Sequence, residues 1–92
     1  MVNILGKKLC EDDVRELTEK KAVSSVLELI GDLLAESGKK NIKMGKRLGN
    51  KTMIKAGNEM QDEAEDAYED SIKTAEEAEE LEEEMRDKGC VF

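Results

Sequence analysis

The sequence predicts an all-α protein: an extended antiparallel helical hairpin with one long second helix, completed by oligomerisation or by a partner. Three observations carry that reading. Apolar residues recur at spacings of three and four, and no stretch alternates in the way a half-buried strand would. Proline is absent from all 92 residues, so nothing interrupts a helix covalently. Charged residues make up 41% of the chain against 38% apolar, and Tyr68 and Phe92 are the only aromatics, too little bulk for a conventional globular core. A chain of this length buries only roughly 60 to 65% of its unfolded surface, which makes self-sufficiency doubtful.

Residues 1–11 read as an N-terminal arm and residues 12–87 as the hairpin. The first helix, 12–36, begins where Asp13 followed by Glu16 resembles a capping box, and Gly38 supplies its stop within a turn at 37–40. On a helical projection Ala22, Val23, Val26, Leu27, Ile30, Leu33 and Leu34 share an arc of about 140°, wide enough to touch more than one neighbour. Val23, Val26, Leu27, Ile30, Leu33 and Leu34 are the expected apolar core. Val14 and Leu17 lie on another side, which implies a bend near Thr18 to Lys21 or a separate partner surface.

The second helix is expected over 41–87 despite Gly45, Gly49 and Gly57, each of which costs a helix about 1 kcal/mol relative to alanine. Phase favours continuity: Gly45, Gly49, Met53, Ala56, Met60, Ala64, Ala67, Ser71, Ala78 and Met85 stay within about 60° of Ile42. With Leu81 they form a seam of mostly small residues on which another backbone can approach closely. The competing reading is a short helix over 39–48, a turn at Gly49 and Asn50, and a longer helix after it. Residues 88–92 form a tail in which Gly89 ends the helix and Val91 and Phe92 fray. Helices of about 24 and 46 residues would measure roughly 36 and 69 Å. The first would reach back only to Ala64, leaving Ala67 to Met85 in need of another molecule.

Net charge is −8. Residues 1–55 hold 12 Lys/Arg and 8 Asp/Glu, whereas residues 56–92 hold 3 and 15, so the halves should attract. Lys39, Lys40, Lys43, Lys46, Arg47, Lys51 and Lys55 form a basic patch without an intervening acid, and Glu65, Asp66, Glu69, Asp70, Glu76 and Glu77 an acidic face.

Chemistry is limited by composition. Without histidine, Cys10 and Cys90 cannot assemble a four-ligand zinc site in one chain, and two thiols near opposite ends read as free cysteines in a reducing, cytoplasmic setting. Neither a signal peptide nor a membrane span is expected. The carboxylates match no calcium-loop or di-iron pattern, Ser24 and Ser25 lack a general base, and the methionines read as gap-filling core residues. No catalytic residue, metal or cofactor is expected, and no family motif is matched residue by residue. The sequence points to a non-enzymatic interaction or assembly module, a homo-oligomer or the ligand of a larger protein, acting through the small-residue seam. One alternative is an acidic inhibitor that mimics nucleic acid and occupies a nucleic-acid-processing enzyme. A further one is sequence-nonspecific nucleic-acid binding through residues 39–55.

Overall fold

The computed structural model describes the backbone of residues 2–90 and the side chains of residues 10–90. It is a two-helix antiparallel hairpin: α1, Val2–Leu48, and α2, Lys51–Asp87, joined by Gly49 and Asn50. The turn therefore lies about a dozen residues beyond the 37–40 expected, and the longer helix is the first, at 47 residues against 37. The sequence expectation of an arm over 1–11 is corrected as well, because helical backbone begins at Val2. Val91 and Phe92, expected to fray, lie outside the described residues.

Two glycines that look alike in sequence do opposite jobs. Gly49 takes φ 65°, a left-handed conformation that ends a helix, and Asn50 N–H donates to Gly45 O at 2.8 Å across the closing turn. Asn50 then opens α2: its extended backbone presents the side-chain oxygen to Met53 N–H at 3.2 Å. Gly49 therefore leaves the expected seam and stands exposed in the turn. Gly38, the expected stop, sits buried mid-helix because it faces α2. A Cβ on Gly38 would stand 2.7 Å from Gly57 O, and one on Gly57 would stand 2.6 Å from Gly38 O. The far end of α2 repeats the device of the turn, with Gly89 at φ 79° and Cys90 N–H donating to Met85 O at 2.9 Å, so Gly89 ends the helix as expected.

A repeat of seven organises the contact. Cys10, Leu17, Ser24, Gly31, Gly38 and Gly45 recur at that interval on α1, and Gly57, Ala64, Ser71, Ala78 and Met85 on α2. Such a repeat keeps one stripe facing the partner helix only if the pair supercoils gently to the left. Ser24 and Ser71 meet across it reciprocally: each hydroxyl donates to the other residue's carbonyl oxygen at 2.9 Å. A partly buried polar pair satisfied in this alignment favours the register. Near the turn the layers are glycine. Towards the open end they enlarge to Leu17, Ala78, Leu81 and Met85, a buried cluster flanked by Val14 and Cys90. No bend separates Leu17 from the rest of α1, since a seven-residue repeat brings it onto the Ser24 and Gly31 side.

Because α1 extends well past residue 36, no overhang remains. Ala67, Ser71, Ala78, Leu81 and Met85 are all buried against their own chain. The open end is also closed covalently, by a disulfide between Cys10 and Cys90 with Cα atoms 5.8 Å apart. The expectation of free thiols is overturned, and with it the support they lent to a reducing environment. Pairing the two ends in sequence required a fold in which the N-terminal part of α1 lies beside the end of α2.

Candidate interaction surface

Most of the expected seam does come together, but as the contact between α1 and α2. Ala64 is 2% exposed and Ala78 3%, Gly45, Ala67, Ser71 and Leu81 are buried, and Met53, Ala56 and Met60 are half-buried. Met60 Sδ accepts from Asn41 Nδ2 at 3.5 Å, and Gln61 Nε2 donates to Ala35 O at 2.8 Å. The partners of this seam on α1, namely Leu17, Ser24, Gly31 and Gly38, were not legible as core. Three of them are glycine or serine, invisible to a count of apolar residues, although their spacing of seven was there to be found.

The expected apolar core divides in two. Leu27 and Leu34 turn toward α2 and are half-buried. Val23, Val26, Ile30 and Leu33 do not: they are exposed by 49, 54, 41 and 58%, and Leu29 beside them by 59%. One narrow neighbouring helix covers only part of a 140° arc, and here its small side chains reach even less of it. The result is a contiguous apolar patch on adjacent turns of α1. Scattered exposed aliphatics are ordinary in proteins, whereas a grouped patch framed by charge is a candidate contact surface.

The frame is itself polarised. Glu16 and Glu19 stand at the N-terminal end of the patch, and Lys40 and Arg47 continue the same face beyond Leu33, all exposed. The seven expected basic residues, Lys39 to Lys55, are exposed around the turn. The inter-helix ion pairs among the described residues lie elsewhere: Lys20–Glu77 at 3.1 Å, Lys21–Glu82 at 2.5 Å and Lys88–Asp13 at 3.7 Å. Attraction between the halves thus runs through the open half of the hairpin and leaves the basic turn end without acidic partners among the described residues. The hydrogen bond to Glu77 raises the Lys20 pKa against an opposing desolvation effect, with the charges of Glu77 and Glu16 adding to the rise. The bond from Lys21 lowers that of Glu82 in the same way. Such exposed pairs align the helices more than they stabilise them. Glu65, Asp66, Glu69, Asp70, Glu76 and Glu77 are exposed on α2.

On the opposite flank Tyr68 packs its ring over Gly31, where a Cβ would stand 2.7 Å from Cε1, and its hydroxyl donates to Asp32. That hydrogen bond, then desolvation and the charges of Asp32 and Glu28, raise the phenol above its ordinary 10.0. As Tyr68 is the only tyrosine, phenolate absorbance should titrate above 10.0, and Asp32→Asn should bring the midpoint back toward that value. The sign follows from linkage: the contact's stabilisation is whole below the unfolded pKa and disappears as pH rises through the higher folded one.

Two shallow grooves run along the helix junction, one beside Tyr68, Asp32 and Gln61 and one beside Lys20, Val23 and Glu77. Among the described residues no group of acids and cysteines is arranged to hold a metal ion, and no helix is long and apolar enough to cross a membrane. The Ser24 hydroxyl is engaged by Ser71. No family model, curated protein or solved structure matches the chain.

Proposed function

We propose that this protein is a non-enzymatic helical interaction module whose working surface is the exposed apolar patch of α1. The small-residue seam expected to serve that role is occupied within the chain. The observation that carries the reading is the grouping of Val23, Val26, Leu29, Ile30 and Leu33, each roughly half exposed, on a helix whose other side is already packed. Aliphatic side chains at spacings of three and four along a rigid helix are what a second helix or an apolar groove recognises. The disulfide supports work in an oxidising compartment instead of the cytoplasmic one expected from free thiols.

Affinity isolation from the native source, with the intact chain and an Ile30→Glu variant as paired baits, tests the proposal. A protein retained by the intact chain and lost with Ile30→Glu is the expected result. Retention of nucleic acid through Lys39 to Lys55, or of a nucleic-acid-processing enzyme through Glu65 to Glu77, insensitive to Ile30, would replace it with one of the two charge-based readings. Ile30 is 41% exposed, so the variant should keep its helical circular dichroism.

A further inference from the structure

Resting on that reading, we infer that the occupant of the α1 patch is a second copy of this chain, docked antiparallel about a two-fold axis midway between Val26 and Ile30. Charge along α1 points to it. Residues 10–36 carry 8 acids and 3 bases, while residues 37–48 carry 5 bases and no acid. α1 is therefore an electrical rod, net −5 toward the open end and net +5 toward the turn, with the apolar patch lying before the change of sign.

A parallel copy would set acid against acid and base against base. An antiparallel copy does the reverse, and one register satisfies the patch and the charges together. Placing Val26 opposite Ile30 of the second copy sets Val23 opposite its Leu33 and Glu16 opposite its Lys40, each contact occurring twice by symmetry. A shift by one heptad in either direction would leave half of the patch uncovered, setting Glu16 opposite Arg47 in one case and opposite Leu33 in the other. The two α2 helices must then lie on the outside, apart from each other. Their composition requires that too, because residues 56–92 hold 15 acids against 3 bases and would repel in contact. The assembly is a closed four-helix arrangement with α1 against α1 at its centre.

Sedimentation equilibrium of the oxidised, full-length chain tests this. The intact protein should reach a mass twice 10.3 kDa as concentration rises. Ile30→Glu should weaken self-association at least about tenfold, with unchanged helical dichroism. Glu16→Lys and Lys40→Glu should each weaken it by about tenfold at low salt, and an equimolar mixture of the two variants should recover it, since every facing pair is then opposite in sign. A chain monomeric up to about millimolar concentration overturns the inference. So does a dimer indifferent to Ile30→Glu or to the charge exchanges. A monomeric chain that still captures a different protein through Ile30 would remove the second copy and leave the interaction reading standing. Ile30→Glu without effect on either self-association or capture removes both.

Discussion

Gly38→Leu should cost about 3 kcal/mol and lower the melting temperature by roughly 15 °C, although leucine is the better helix former by almost 1 kcal/mol. The reason is geometric. At Gly38 a Cβ alone would stand 2.7 Å from the backbone oxygen of Gly57 and 3.0 Å from the Met60 Cβ, and backbone cannot swing aside as a long side chain can. A leucine must push the helices apart, which also strains the reciprocal Ser24 and Ser71 bonds that depend on their approach. Lys39→Leu, one residue on and exposed, introduces the same side chain without the clash and at nearly unchanged helix propensity, and should leave the melting temperature within a few degrees. Thermal denaturation of both variants by circular dichroism decides the matter. An unchanged melting temperature for Gly38→Leu would mean that the helices are not in contact at Gly38 and Gly57.

Reduction of the Cys10–Cys90 disulfide should be more damaging still. The bond joins residues 80 apart in sequence, and removing that constraint frees the unfolded chain by about 4.5 kcal/mol on the chain-entropy account. For a chain of this size that corresponds to a fall of roughly 20 °C or more in melting temperature, measured with and without a thiol reductant. The double variant Cys10→Ser with Cys90→Ser should behave as the reduced protein does, in either condition. Loss should be uneven along the rod. The cluster of Leu17, Ala78, Leu81 and Met85 adjoins the bond and should open first, whereas amides near Gly38 and Gly57, closed by the short turn, should keep their protection from hydrogen exchange. If reduction leaves stability unchanged, the bond is not a clamp on the open end.

The exposed apolar face of α1 illustrates how far residue pattern alone could go. Periodicity identified helices, antiparallel arrangement and a seam of small residues, because each depends on side-chain order along a single helix. The wide arc of Ala22 to Leu34 already indicated more than one neighbour, and the structure leaves most of it uncovered. What pattern misjudged was the role of glycine. Gly38 and Gly49 have the same chemistry, and only the neighbour that each meets separates a packing residue from a turn residue: Gly57 for one, open solvent for the other. With the turn at Gly49 and Asn50 instead of 37–40, α1 is longer, no overhang remains, and the uncovered apolar face lies on α1 instead of α2.

By itself, then, the sequence determined the all-helical character, the antiparallel hairpin, the segregation of charge and the apolar face of α1, all properties that local spacing and composition set. Tertiary structure alone decided which glycine bends the chain, which part of that apolar face remains open, and that Cys10 meets Cys90. The physical reason is common to all three. Each depends on the alignment of one helix against the other, and that alignment is chosen by contacts between residues distant in sequence, Ser24 with Ser71 and Gly38 with Gly57, whose side chains are too small to announce themselves in a hydrophobic pattern.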